Sequence, residues 1–401
     1  MSIVFVRYKT DKHGKSVPVC KVYTAKEHPI RNSMIDRDAL WAIKKIQGAG
    51  GEAYLVGGAL RDIMLGHTPK DFDIGTSLSP RQVQRLFWNS RIIGKRFRIV
   101  HLFFGEKIIE VTTFRSDEEN FEEGNNNVWG TIEQDARRRD FSINALYYNP
   151  QKCELLDFSG SMEDFDRKVI RSLIPLRYSF SEDPVRMIRA VKYKVTTGFR
   201  LRLDVKLAIL RDASCLQNCP ASRLTEEVVK ILSSGHSREI FHALYQNRLL
   251  QYLLPAFAVH SELPSVSESL GILDSLVQEA IDGGIEKPRK DVMFYYMIRS
   301  AIIIDPSLGL GWEEYMKDAF RQAKVMLSPI TPANFELEKA VLLVLSEKGI
   351  RVNKTKKKKK AQSQKGEKGR ESVNPKVQGR RKRGKSSRKK VENRENMEEK
   401  A

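Results

Sequence analysis

A run of four apolar or aromatic residues, Ala53-Tyr-Leu-Val56, meets two glycines, Gly57 and Gly58, and then a short helical segment closed by Gly66. This strand–turn–helix step constrains the fold more than any other feature of the chain, because an uninterrupted apolar strand must be covered on both faces. A second strand is predicted at Asp71–Ile74, with Asp71 and Asp73 on one face and Phe72 and Ile74 turned to the core. Around this pair the pattern is α/β. A helix is expected from about Arg37 to Gln47, stopped by Gly48-Ala-Gly-Gly51, and another from the N-cap Ser79 and Pro80 through Phe87. Arg96–Phe104 and Ile108–Phe114 read as a hairpin joined by Gly105-Glu-Lys107.

Beyond a polar, acidic loop holding Asn125-Asn-Asn127, a Thr-x-x-Gln capping box (Thr131, Gln134) turns the pattern helical. From Ser181 to about residue 350 it is helical almost throughout, ending on an amphipathic stretch, Phe335–Ile350, with Leu337, Ala340, Val341 and Val344 on one side. The first 35 residues are polar, with a strand-like run on each side of a turn at Gly14, and suggest no chemistry. The expected fold class is a small mixed or antiparallel sheet with helices, followed by an all-α remainder. The expected divisions are 1–36 (extension), 37–180 (head), 181–255 (neck), 256–350 (body) and 351–401 (tail).

Charge separates the last division from the others. The chain of 401 residues has 70 basic and 50 acidic side chains, net +20, and residues 351–401 hold 21 basic against 6 acidic, so +15 lies in the tail and +5 in the rest. The tail has no aromatic residue and is expected to be disordered, since it has little to bury against its ordering entropy. No apolar run reaches the roughly 18 residues that a membrane span needs, and Arg7 interrupts the opening Ile3-Val-Phe-Val6. A soluble cytoplasmic protein without membrane partners is expected. Four cysteines form no Cys-x-x-Cys pair, which argues against a structural zinc site or a disulfide framework.

Two carboxylates on one strand face repel unless a cation lies between them, and oxygen-only ligands suit a hard ion such as Mg²⁺ that keeps positions open for substrate phosphates. Gly57 and Gly58 remove side chains that would keep a phosphate from the backbone, and the following helix aims its first amides at the same place. No Gly-Lys-Ser/Thr follows, as a Walker motif would require, and the spacing is not the Gly-x-Gly-x-x-Gly of dinucleotide folds.

Tyr54-Leu-Val-Gly-Gly-Ala-Leu-Arg-Asp62 with Lys70-Asp-Phe-Asp-Ile74 resembles the signature of the polymerase β-type nucleotidyltransferases, in the class containing bacterial poly(A) polymerases and CCA-adding tRNA nucleotidyltransferases. The resemblance continues through Arg138-Arg-Asp-Phe-Ser-Ile-Asn-Ala-Leu146, Leu156-Asp-Phe-Ser-Gly160 with Glu163-Asp164, and Glu182-Asp-Pro-Val-Arg-Met-Ile-Arg-Ala190, covering about residues 50–255. It implies that two Mg²⁺ ions support attack of an RNA 3′-hydroxyl on the α-phosphate of a nucleoside triphosphate. Asp71 and Asp73 match the metal ligands. Glu110, the one charge in Ile108-Ile-Glu-Val111, is the candidate third carboxylate.

By the same resemblance, Gly57, Gly58 and Arg61 line the triphosphate. Arg139 contacts the nucleotide from the helix begun at Thr131, Asp140 orients its neighbours, and Asn144 meets the ribose or a loop carbonyl. Asp183 and Arg186 are three apart at a helix start, offering an acceptor beside a donor, which fits the Watson–Crick edge of adenine or cytosine and disfavours guanine or uracil. Arg189 continues that face. The chain departs from the pattern at Lys192, where an arginine is usual, and at Ser161, where a glycine is common.

Because adenine and cytosine present the same edge, this pair does not separate ATP-only from CTP-and-ATP use. The run Ile92-Ile-Gly-Lys-Arg-Phe-Arg-Ile-Val-His-Leu102 resembles the segment that marks bacterial poly(A) polymerases, and a cationic tail suits mixed RNA 3′ ends. The expectation is therefore poly(A) addition from ATP to mRNA or other RNA. Addition of CCA to tRNA is the alternative, and an inactive RNA-binding relative is a third reading that the intact motifs oppose. The cluster Arg380-Arg-Lys-Arg383 with Arg388-Lys-Lys390 would also serve as a nuclear address in a eukaryotic source.

Overall fold

The computed structural model describes residues 4–350 except 12, 95–97 and 117–128. The acidic loop at Asn125, part of the Ile92–Leu102 run and the whole tail thus lie outside the described residues. Nine strands form one sheet: β1 (Phe5–Thr10), β2 (Ser16–Tyr23), β3 (Ala53–Val56), β4 (Asp73–Thr76), β5 (Ser90–Ile93), β6 (Ile99–Phe104), β7 (Lys107–Thr113), β8 (Leu146–Asn149) and β9 (Glu154–Asp157). Their spatial order is β1-β2-β9-β8-β3-β4-β7-β6-β5, antiparallel throughout except for β4 beside β7.

The sheet is larger than the sequence pattern suggests. Leu146-Tyr-Tyr-Asn149 is buried at every position, so it shows no alternation, and with β9 it interrupts what reads as a continuous helical stretch after Thr131. The polar hairpin β1–β2 is hydrogen-bonded onto β9 and extends the same sheet. The β6–β7 turn is Gly105-Glu106, with Lys107 already paired to Phe104.

The sheet has two unlike faces. On one, Leu55, Ile74, Val100, Leu102, Ile109 and Val111 pack under α1 (Arg37–Gly48), α2 (Gly58–Met64) and α3 (Pro80–Leu86), in a core that continues into the helical part. On the other, a smaller cluster of Tyr54, Val56, Phe114, Tyr147 and Leu156 is covered by Ala136 of α4 (Ile132–Arg137). The Thr131–Gln134 capping box opens α4, and the Ser79 N-cap opens α3 with Gln82 completing a capping box there too.

Helices α5 (Ser161–Asp166), α6 (Leu176–Glu182) and α7 (Val185–Thr197) lead out of the head. They are followed by α8 (Leu203–Asp212), α9 (Ala221–Leu232), α10 (Ser237–Gln246), α11 (Leu250–Leu253), α12 (Pro255–His260), α13 (Pro264–Asp282), α14 (Lys290–Ile298), α15 (Trp312–Leu327) and α16 (Asn334–Glu347). The four cysteines are free thiols, and among the described residues no helix is long and apolar enough to cross a membrane.

Candidate active site

Asp73 opens β4 and is registered between Val56 of β3 and Glu110 of β7. The strand starts two residues later than expected: Asp71 lies before the ladder and is exposed, so the two aspartates approach the site from different backbone settings. Phe72 packs against the main core as anticipated, and Ile74 is buried in it. Glu110 points away from its buried neighbours Ile109 and Val111, onto the face that carries Asp73, where its Oε1 lies 3.4 Å from His101 Nε2.

Burial first, then the charges of Glu110 and Asp71, push the Asp73 carboxyl up to about 6 even though Arg139 opposes the shift. The site is thus short of positive charge at its carboxylates. Among the described residues no three acidic or imidazole side chains have already converged as a metal cluster. The donor set still fits a hard divalent ion: three carboxylates are electrostatically coupled, and one of them is held in a buried place that disfavours its own charge.

Gly57 is required twice over. Its φ of 76° is left-handed, and a Cβ there would stand 3.3 Å from Asp73 Oδ2 and 3.6 Å from Arg139 Nη1. The bare backbone is what lets a carboxylate and a guanidinium flank the turn. Gly58 begins α2 beside the Arg61 guanidinium.

The cationic side of the site is already paired. α4 ends at Arg137, so Arg139 and Asp140 follow the helix instead of lying on it. Past the helix Arg139 is half-buried: it donates through Nε to the Tyr147 hydroxyl (3.0 Å), through Nη1 to the Asn144 carbonyl (3.2 Å) and through Nη2 to Asp135 (3.3 Å). Tyr147, Asp135 and Asp73 together outweigh burial and hold its proton more firmly than usual.

Asn144 is the hub. Its Oδ1 accepts from Arg61 Nη1 (3.1 Å), its Nδ2 donates to Asp140 Oδ1 (3.3 Å), and Asp140 Oδ2 pairs with Arg189 (2.9 Å). Arg189 also donates to the Tyr193 hydroxyl (3.3 Å), and the Tyr193 ring lies 5.0 Å beneath the Arg61 guanidinium, which closes a five-residue ring. Asn144 therefore holds the Arg61 and Asp140 side chains in place. Asp140 contacts both Arg189 and Asn144.

Asp183 occupies the break between α6 and α7, and Arg186 the first turn of α7. Their i,i+3 pair is loose, at 3.9 Å, because Arg186 donates to the Ser179 carbonyl and Glu182 (both 3.0 Å). Asp183 Oδ2 is held instead by Arg223 of α9 at 2.9 Å, while Oδ1 is buried with no hydrogen-bond partner among the described residues. Lys192, at the position where an arginine is usual, reaches the buried Glu227 of α9 at 3.1 Å, and Lys230 shares that carboxylate at 3.0 Å. α9 thus holds α7 through Glu227 and Lys192, and the break before α7 through Arg223 and Asp183.

Sequence reasoning missed Asp135, Tyr147, Tyr193, Arg223 and Glu227. Only Arg223 and Glu227 left a trace, as polar residues four apart on an otherwise apolar helix face. The Leu156–Gly160 motif is structural: Asp157 accepts from the backbone of Ser159, Ser161 and Met162 to start α5, with Gly160 left-handed and Ser161 buried. Asp164 pairs with Arg171.

Residues 53–171 match the poly A polymerase head domain, and 198–260 match the probable RNA and SrmB-binding site of polymerase A. Poly(A) polymerase I of Escherichia coli O6:H1 is 40% identical over 251 residues, 59% of this chain and 54% of that protein. The CCA-adding enzyme of Bacillus subtilis is 35% identical over 233 residues, 57% and 58% of the two. The chain spans about half the length of the curated relatives it matches. The solved CCA-adding enzyme of Bacillus stearothermophilus in complex with CTP shares the fold, with a TM-score of 0.51 at 24% identity over 78% of this chain and 82% of that one.

Proposed function

We propose, for a chain that belongs to the nucleotidyltransferase family of bacterial poly(A) polymerases and CCA-adding enzymes, that it adds AMP from ATP to RNA 3′ ends without a template. The carrying observation is the pairing of a charge-strained carboxylate group, Asp73 with Glu110 and Asp71, with preset arginines across Gly57. Asp71, Asp73 and Glu110 would hold two Mg²⁺ ions. Bound there, the ions lower the pKa of a hydroxyl and neutralise phosphate charge. In the transfer, the O3′–Pα bond forms as the bond from Pα to the pyrophosphate oxygen breaks, and the hydroxyl proton passes to solvent.

The protein's own residues supply position. Arg61 and Arg139, locked by Asn144, Tyr147 and Asp135, present guanidinium groups to the triphosphate without reorganising. Asp183 Oδ1, an acceptor lacking a donor, fits the exocyclic amine of adenine or cytosine, and Arg186 offers N–H groups beside it. A base read by side chains needs no template.

The ATP-only branch is favoured by the 40% identity to a poly(A) polymerase and by the resemblance of the Ile92–Leu102 run. CCA addition from CTP and ATP is the second reading, because Asp183 and Arg186 suit cytosine equally and CCA-adding relatives reach 35% identity. The basic segment 351–401 would add a sequence-independent grip on RNA, so truncation after Ile350 should flatten the salt dependence of RNA binding.

The deciding experiment gives the purified protein Mg²⁺ and each triphosphate separately, with an unstructured RNA or a tRNA lacking its terminal CCA. Long tails from ATP on either RNA are expected. Arrest after C, C and A on tRNA alone would transfer the protein to the other branch.

A further inference from the structure

Among the described residues, a helix covers the face of the sheet that carries Asp73 on only one side of that residue. Toward β3, β8 and β9 it lies under α4, with Tyr54, Val56, Tyr147 and Leu156 buried. Toward β7, β6 and β5 the register places side chains in rows on the same face: Asp73 beside Glu110, Glu110 beside His101, His101 beside Arg91. A second row pairs Ile108 with Phe103. Phe103 is 38% exposed, Ile108 is 42% exposed and Arg91 is exposed, whereas the intervening Val100, Leu102 and Ile109 are buried on the opposite face. His101 and Phe103 meet edge to face, ring centroids 6.3 Å apart.

We propose that this open half-face, carried by Arg91, His101 and Phe103, is the subsite for the terminal nucleotides of the RNA being extended. The inference rests on the nucleotidyl-transfer reading and adds where the acceptor strand lies. An in-line displacement puts the attacking oxygen opposite the leaving pyrophosphate. The triphosphate groups, Gly57, Arg61 and Arg139, lie on the β3 side of Asp73, so the hydroxyl enters from the β7 side. Three strand spacings of about 4.8 Å carry the row from β4 to β5, roughly 14 Å in all.

The chemistry along that path fits a single strand. Phe103 and His101 offer ring faces on which any base can stack, and Arg91 at the far end offers a guanidinium to a phosphate. Phe103 beside Ile108 leaves a patch of partly exposed apolar surface next to the carboxylate site. The occupant is continuous with the carboxylate site, since His101 touches Glu110. The His101 contact also fixes one oxygen of Glu110 on the acceptor side.

The test uses the full-length protein and a single-stranded RNA oligonucleotide. Phe103→Leu keeps apolar bulk and removes the ring. It should raise the RNA KM by about 5- to 50-fold, the worth of one base–aromatic stack, with the ATP KM unchanged and Phe103→Tyr close to wild type. Arg91→Ala should lower the salt slope of RNA binding by about 0.7, one phosphate contact on a single strand. Unaltered RNA KM and salt slope in an active protein overturn the subsite, as does a change confined to ATP.

Cross-linking keeps the inference apart from the reading beneath it. An RNA with 4-thiouridine as its last nucleotide should attach to the peptide containing His101 and Phe103 whether or not wild-type protein transfers nucleotides. Attachment only elsewhere contradicts the subsite. Failure of wild-type protein to extend any RNA contradicts the function instead.

Discussion

The two sides of the active site differ in how far the protein has already satisfied them. On the cationic side Arg61, Arg139 and Arg189 are each committed to protein partners, and Asn144 ties them together. On the anionic side Asp73 is half-buried beside other carboxylates and is pushed up to about 6. The fold therefore spends its own hydrogen bonds on groups that must be rigid before the nucleotide arrives, and leaves uncompensated the groups that an ion is to join. Side chains that meet phosphate need fixed geometry, because transition-state stabilisation is lost when donors must reorganise. Side chains that meet a cation need excess negative charge.

Four variants probe that contrast, in descending order of effect. Replacing both Asp71 and Asp73 by Ala should reduce nucleotide addition by at least about 10³-fold, with the circular dichroism spectrum retained; substantial residual transfer would remove the metal assignment. Asn144→Ala strikes the opposite side. It removes one hydrogen bond each from Asp140 and Arg61, and should destabilise the fold by about 1–3 kcal/mol and lower kcat/KM for ATP by about 10²-fold, which chemical denaturation and steady-state kinetics together would report. If both stay near wild type, the ring is incidental.

Gly57→Ala tests the boundary between the two sides. Its left-handed backbone and a Cβ 3.3 Å from Asp73 should cost about 1–2 kcal/mol and weaken ATP use, an effect that a neutral result in thermal melting would refute. Arg223→Ala frees Asp183 without touching either side directly. Because Arg223 is half exposed, its loss should raise the ATP KM by no more than about fivefold, with kcat preserved. A fall in kcat instead would give Arg223 a role beyond holding Asp183.

The same contrast explains what the sequence revealed. Ala53–Val56, α1, the Ser79 N-cap and the Thr131 capping box are local matters of propensity and hydrogen bonding, and they form where the sequence places them. Gly57, Asp73 and Glu110 were legible because glycine at a turn and a lone charge in an apolar strand are conspicuous in one dimension. The arginine ring was not, since it joins α2, the segment after α4 and α7, across separations such as the 83 residues between Arg61 and Asn144. Past the end of α4 at Arg137, Arg139 reaches Tyr147 on the sheet, a partner that the local pattern does not show. Tyr147 lies on β8, a strand with no solvent face and hence no alternating pattern to betray it.

Thermal unfolding of the metal-free protein against pH, for wild type and Asp73→Asn, tests the central claim most directly. A carboxyl raised from its ordinary range to about 6 favours the folded state most below about pH 4 and loses that contribution as pH rises through 6. The variant should therefore be more stable than wild type by roughly 3 kcal/mol at pH 7.5, about two pKa units at 1.4 kcal/mol each, with the difference closing toward pH 4. Mg²⁺ should stabilise wild type at pH 7.5, lose that effect near pH 5 and leave Asp73→Asn largely unmoved. Parallel pH profiles for the two proteins, with Mg²⁺ acting on both alike, would contradict the assignment of Asp73 as a carboxylate held ready for a metal ion.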